Sequence, residues 1–162
     1  MDFMSDSMVG NRKFRTLNVM DDCSREVLAI EVDTSLSSRR VIRTLDRIIE
    51  QRGKRVSIRT DNGPEFTSKV LELWSLDKGI NLQFIQPGKP MQNGYIERFN
   101  RLYREAILDA YLFFDFNELR VLTEEWMEEY NTKRPHESLD NKTPYEWKMN
   151  LLKNDYALNE IV

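Results

Sequence analysis

Asp61 closes the run Val56-Ser57-Ile58-Arg59-Thr60, and Glu97 lies within Asn93-Gly94-Tyr95-Ile96-Glu97-Arg98-Phe99-Asn100. A third acid, Asp2, stands at the start of the chain. Carboxylates at a strand end and on a helix face are hard oxygen donors that together can hold a pair of divalent cations. Two such cations about 3.5–4 Å apart can activate an oxygen nucleophile and relieve charge on the leaving oxygen of a phosphodiester. Mg²⁺ suits this donor set, since it takes a few carboxylates plus waters and substrate phosphates. With one Cys and one His, far apart in sequence, the chain offers no zinc cluster.

Each acid also has a plainer reading. Asp61 could form an Asx turn with Gly63, and Glu97 could be a solvated helix charge. Asp6 shares one strand face with Asp2 and Met4, so it competes for the first position, although a solvated strand-end charge is its default role. Near Glu97 the basic residues gather. At about 100° per residue, Arg101 and Arg104 fall within about 40° of Glu97 on a helix surface, and Arg98 is adjacent. This stripe suits DNA phosphate contact; the alternative is intrahelical pairing of Glu97 with Arg101 and of Arg101 with Glu105. Asn93, Gln92 and Lys89 precede the helix and are further candidates for DNA contact. Asn62 is expected to orient the Asp61 turn.

These side chains need a scaffold. Residues 3–8 give a short, imperfect alternation ending in Gly10-Asn11, a hairpin signal. Residues 14–20 and 27–32 read as the next two strands of an antiparallel meander. Ser37 or Ser38 can cap a helix whose apolar positions are Val41, Ile42, Leu45, Ile48 and Ile49, with Gly53 past its end. Residues 56–60 form a fourth strand. A short helix over 68–78 is expected to bury Val70, Leu71, Leu73 and Trp74, and residues 80–85 form a fifth strand. Residues 86–94 hold Pro and Gly and read as a loop. The Glu97 helix is expected to run to about Ala110, burying Tyr95, Ile96, Phe99, Leu102, Tyr103, Ala106 and Ile107. A further helix over 117–130 buries Leu119, Leu122, Trp126 and Tyr130, and the rest reads as turns with one helical turn at 143–147.

The 162 residues suit one domain with a real core, and 40% hydrophobic with 31% charged residues is an ordinary globular balance. No apolar run approaches the roughly 20 residues of a membrane helix. A lone Cys23 forms no internal disulfide, which suits a reducing cytoplasm, and it is expected to be a small buried residue. The net charge of −3 gives no global attraction to DNA; the acids concentrate at Glu118, Glu124, Glu125, Glu128 and Glu129, and the arginines near the proposed site. His136 beside Pro135 reads as a packing residue, as do Trp74, Trp126 and Trp147.

The ordered set Met1-Asp2-Phe3, Arg15-Thr16-Leu17-Asn18-Val19-Met20-Asp21-Asp22, Arg59-Thr60-Asp61-Asn62-Gly63-Pro64-Glu65-Phe66-Thr67-Ser68, Pro87-Gly88-Lys89-Pro90-Met91-Gln92-Asn93-Gly94-Tyr95-Ile96-Glu97, Tyr130-Asn131 and Arg134-Pro135-His136 resembles the integrase-type transposases of bacterial insertion sequences, in particular the second-frame (OrfB) product. The resemblance runs from residue 1 to about 148. It implies an α/β, ribonuclease-H-like fold: a mixed five-stranded sheet, three antiparallel strands then two parallel, flanked by helices. It implies a catalytic core over 1–150 and a C-terminal tail over 151–162. Asp2, Asp61 and Glu97 become the catalytic, metal-holding acids, with Mg²⁺ (or Mn²⁺) as cofactor, two ions in all. The aromatic Phe3 favours Asp2 over Asp6. The implied chemistry is metal-dependent DNA cleavage, then strand transfer in which a freed 3′-hydroxyl attacks a second phosphodiester. The implied partners are element-end and target DNA, an upstream DNA-binding segment or partner-frame product, and further copies of the chain in a bacterial cytoplasm. Because one residue precedes Asp2, an excised domain, a truncated frame or a mis-called start is expected. Alternatives are an inactive remnant, a DNA-binding regulator, or a nuclease such as a ribonuclease H or a junction resolvase.

Overall fold

The computed structural model describes residues 1–54, 56–86 and 88–159. Strands β1 (Asp2–Ser7), β2 (Lys13–Met20) and β3 (Val27–Asp33) form an antiparallel ladder in which Asp2 faces Asn18 and Asn18 faces Ile30. The first hairpin turns at Gly10 and Asn11, both at positive φ (84° and 62°), the left-handed region these two residue types tolerate best. Helix α1 (Ser38–Arg52) leads to β4 (Ser57–Thr60), and α2 (Lys69–Lys78) leads to β5 (Asn81–Phe84), which pairs parallel with β4. The fold is α/β, with the three antiparallel and two parallel strands expected. The strands pair as two ladders, β1-β2-β3 and β4-β5, rather than one continuous five-stranded ladder. The two meet where the Met1 amino group donates to the Arg59 carbonyl at 2.7 Å.

Helices lie on both faces because β2 is buried along nearly its whole length. On one side α1 and α2 enclose Leu17, Val19, Leu36, Val41, Leu45, Phe66 and Leu71. On the other, α3 (Gly94–Tyr103) and α4 (Phe116–Thr132) enclose Phe14, Val32, Ile96, Phe99, Tyr103, Leu119 and Tyr130. The Tyr130-Asn131 pair is structural. Tyr130 packs edge-on against Phe99, and the Asn131 amide exchanges two hydrogen bonds with the Val27 backbone (2.8 and 2.9 Å), closing the start of β3 as another strand would.

Several expectations are revised. Val70 and Leu73 are exposed (45% and 55%), because α2 presents only the Leu71 and Ser75 side to the core, with Trp74 half-buried. Tyr95 is also exposed, in the first turn of α3, with the Arg25 guanidinium over its ring. Beyond Tyr103 the helix becomes a π-helical turn, Arg104–Leu108, with the Asp109 amide bonded to the Arg104 carbonyl. Its extra residue falls after Arg104, so the helical offset between Glu97 and Arg104 is unchanged. Ser37 occupies the α1 N-cap position without a side-chain cap bond; the Ser38 hydroxyl instead donates to the Glu65 carbonyl. Cys23 is exposed, sitting in the turn after β2 rather than in the core. The single helical turn expected at 143–147 is helix α5 (Pro144–Asn159), opened by a capping box in which Thr143 and Glu146 bond each other's backbone amides.

Tyr103 links α3 to α4 through a 2.7 Å hydrogen bond with Thr123. Burial raises its pKa from 10.0 to about 12, with the Thr123 bond opposing. Because the folded value is raised, the contribution is whole below the unfolded value and is lost as pH rises from about 10 through 12. Tyr103→Phe should make the alkaline loss of stability shallower. At neutral pH it should cost about 1–3 kcal/mol, because Thr123 is left buried without its partner; urea unfolding at several pH values checks both.

Candidate active site

Asp2 and Asp61 are brought together by the residues next to them. Phe3, adjacent to Asp2, stacks on the fully buried Phe66, with centroids 4.7 Å apart and planes 16° apart. Phe66 belongs to the turn that follows Asp61. Arg15 lies over the Phe3 ring at 4.2 Å and pairs with Glu65, so β2 grips both. Within the turn, Asp61 Oδ1 accepts from the Gly63 amide at 3.0 Å, the Asx turn considered above. A Cβ at Gly63 would lie 3.1 Å from that oxygen, so glycine permits the turn's closeness. The Asn62 amide donates to the Ile85 carbonyl at 3.1 Å, tying the end of β4 to the end of β5, the orienting role expected of it.

Glu97 is exposed in the first turn of α3. Its link to Asp2 runs through Asn100, three residues on, whose role the sequence reading missed. Asn100 Nδ2 donates to Asp2 Oδ2 at 2.7 Å, and Asn100 Oδ1 accepts from Asn18 Nδ2 at 2.8 Å. Asn18 is fully buried and Asn100 is 9% exposed. One relay therefore locks α3 to the middle of β2 and holds an Asp2 oxygen on the side of α3 that carries Glu97. The available signal was a polar residue falling on the apolar face between Phe99 and Tyr103. Asp2 Oδ1 accepts from the Phe3 amide at 2.8 Å.

The electrostatics register the convergence. Burial first, and then the negative charges of Asp61 and Glu97, hold the Asp2 carboxyl above its ordinary range, against the Phe3 amide bond. Negative charges that act on a half-buried carboxylate in this way are an arrangement a cation relieves. The donors thus fit a hard divalent ion in kind. Among the described residues, no three His, Cys, Asp or Glu side chains are packed tightly enough to enclose one as they stand.

The basic candidates separate. Arg104 turns to β1, donating to Asp6 at 2.8 Å and to the Ser5 carbonyl at 3.0 Å. That pairing also gives Asp6 a structural partner. Arg101 and Arg98 are exposed and form no ion pair among the described residues. Gln92 is a brace: its side chain accepts from the Gln86 amide at 2.9 Å and its carbonyl from Arg59 at 3.1 Å. Asn93 is buried and Lys89 exposed. A cleft of about 630 Å³ opens between the end of β5 and α3, lined in part by Arg59, Gln92, Tyr95 and Arg98. A second cavity, about 350 Å³, shares Tyr95 and Arg98 with it and is reached by Arg25, Arg134 and His136; Arg134 and His136 stand in the Arg134-Pro135-His136 run noted in the sequence, whereas Arg25 was not. Breaking the relay by Asn100→Ala should lower stability by about 1–3 kcal/mol, since it strips Asn18 and Asp2 of a buried partner. Equilibrium unfolding in urea measures it.

Two models described as integrase core domain match the chain, over residues 1–90 and 78–144. The chain is 40% identical over 147 residues to the insertion element IS407 uncharacterized 31.7 kDa protein of Burkholderia multivorans, covering 91% of this chain and 53% of that protein. It is 39% identical over 150 residues to the insertion element IS476 uncharacterized 39.2 kDa protein of Xanthomonas euvesicatoria, covering 93% and 43%. The chain thus spans about half the length of these relatives. Among solved structures, it resembles the catalytic core domain of BIV integrase (TM-score 0.67, 20% identity, 96% of each chain). It also resembles a chain of the simian T-cell lymphotropic virus intasome (TM-score 0.76, 20% identity, 90% of this chain and 51% of that one). Sharing their fold and matching the family models along most of its length, the chain belongs to the integrase core domain family, among the proteins of bacterial insertion elements.

Proposed function

We propose that this domain is the catalytic core of a transposase, cutting DNA and joining a freed 3′-hydroxyl to a new phosphodiester. The observation that carries the reading is the half-buried Asp2, whose pKa is raised first by burial and further by the negative charges of Asp61 and Glu97. Such a concentration of negative charge is costly in a domain that binds DNA unless cations offset it. The integrase core from HTLV-2, similar in fold (TM-score 0.65), was solved with magnesium.

In this reading Asp2, Asp61 and Glu97 hold divalent metal, Mg²⁺ or Mn²⁺ and two ions in all. When bound, it supplies charge neutralisation at the reacting phosphate and lowers the pKa of the attacking oxygen's proton. The chain's own residues orient and exclude. The Asn100 amide holds one Asp2 oxygen, leaving that carboxylate aimed rather than rotating. The Asx turn sets Asp61, and the Phe3–Phe66 stack keeps the two strand ends together. Exposed Glu97 closes the site from α3. In strand transfer the 3′-oxygen loses its proton and forms a new P–O bond, while the bond from phosphorus to the target's 3′-oxygen breaks and that oxygen takes up a proton. One P–O bond replaces another, so no external energy source is required.

Arg98 and Arg101, on the same helix as Glu97, contact DNA phosphates beside the reacting one, with Lys89, Gln92 and Asn93 bordering the path. Arg104 serves β1 instead. A segment outside this domain recognises the element ends, and further copies of the chain assemble with it on DNA.

Asp61→Asn should abolish Mg²⁺- or Mn²⁺-dependent strand transfer of an oligonucleotide with a free 3′-hydroxyl while leaving the fold intact. It should also remove the metal-induced rise in melting temperature, since a ligand that binds only the native state stabilises it. Normal transfer by this variant would sink the assignment. Arg98→Ala with Arg101→Ala should weaken DNA binding and reduce the log–log salt slope by about one to two units. An unchanged slope would mean that these arginines only solvate the helix.

A further inference from the structure

Three arginines that no ion pair explains surround the 350 Å³ cavity between the start of α3, the end of α4 and the loop after it. Arg25 comes from the turn before β3, Arg98 from α3 and Arg134 from the loop that leads to His136. None forms an ion pair among the described residues, although carboxylates pair with Arg15, Arg40, Arg47, Arg52, Arg59 and Arg104 elsewhere. Arg25 is held in a strained left-handed conformation (φ 58°) with its guanidinium 3.5 Å over the Tyr95 ring. Its Nε and Nη1 are buried without a hydrogen-bond partner, and so is His136 Nε2, whose ring packs edge-on to Tyr130 at 5.0 Å. Buried donors left unpaired cost about 1–3 kcal/mol each, and gathering three like charges adds to that. All three guanidiniums act on the same two groups, Tyr130 and His136. A carboxylate, Glu137, also lines the cavity, exposed, and forms no ion pair with any of them among the described residues.

Resting on the transposase reading, we propose that this cavity is a phosphate-anchoring site that receives one backbone phosphate of the DNA strand entering the active site. Guanidiniums with free N–H groups match phosphate oxygens in number and geometry. The cavity shares Tyr95 and Arg98 with the larger cleft, so an anion seated in it lies on a path continuous with that cleft. Arg98 is also the immediate neighbour of Glu97, whose Cα is about 3.8 Å away. The anchored phosphate therefore belongs to a nucleotide near the one being cut. Holding it fixes the strand's register, while the Arg25–Tyr95 stack presets one guanidinium for it.

His136 is the sole histidine of the chain, so its ring gives one pair of imidazole signals in a ¹H–¹⁵N spectrum and reports on the cavity without assignment. The probes are inorganic phosphate and a short DNA duplex, each added to the whole chain. Both should shift the His136 signals, and Arg134→Ala should remove both shifts and lower the salt slope of duplex binding by about one unit. Arg25→Lys, which keeps the charge but loses the planar stack, should weaken the response several-fold; it also serves as the second variant if Arg134→Ala is unstable. Asp61→Asn should leave the DNA-induced shift intact. Loss of strand transfer in the wild type with the His136 shifts retained would remove the transposase reading and keep the anion site. A response to phosphate but not to DNA would overturn the DNA assignment. No response to either would overturn the site altogether.

Discussion

The hydrogen bond from Asn100 to Asp2 is the contact on which the site depends. Asp2 is half-buried with the negative charges of Asp61 and Glu97 acting on it, and the fold answers with a neutral amide that donates to it. The same side chain accepts from fully buried Asn18, so one residue of α3 ties together β1 and β2, the central strand of its ladder. A charged donor there would neutralise Asp2 and compete with a cation. An apolar residue would leave Asp2 unaimed and Asn18 unpaired. An amide does neither.

Around that bond, aromatic packing rather than charge sets the distances. The Phe3–Phe66 stack lies between the Asp2 and Asp61 positions and is fully enclosed on the Phe66 side. Glu65 completes the clasp by pairing with Arg15, itself over Phe3. The residues flanking Asp61 in Asp-Asn-Gly-Pro-Glu-Phe therefore have separate physical tasks. Asn62 reaches Ile85, Gly63 leaves room for the Asp61 oxygen, Glu65 binds Arg15 and Phe66 stacks.

The chain's charge is informative in its distribution rather than its sum. A net −3 coexists with a cavity at which three guanidiniums form no ion pair among the described residues, while Arg15, Arg40, Arg47, Arg52, Arg59 and Arg104 are matched to acids. The Arg104–Asp6 pair shows why helical spacing alone is a poor guide. Arg104 stands where α3 passes into a π-helical turn, and β1 offers it both a carboxylate and a carbonyl.

Local patterns were enough to read the order of strands and helices, because alternation, apolar spacing, the Gly10-Asn11 turn and helix-ending glycines act over a few residues. The identities of Asp2, Asp61 and Glu97 as candidates were legible too, through their positions on a strand start, a strand end and a helix. What only the tertiary structure decided depends on partners distant in the chain. Val70 and Leu73 carry apolar side chains, but α2 has a single neighbouring face and Leu71 takes it. Cys23 stays outside because the turn after β2 leaves the sheet. Asn100 is, by sequence, one more polar residue on a helix; it becomes the pivot only because Asn18 and Asp2, 82 and 98 residues away in the chain, arrive on either side of it. Arg25, Arg98 and Arg134 lie on three separate segments, and no spacing rule joins them, since a cavity is a property of how elements pack and not of any one of them.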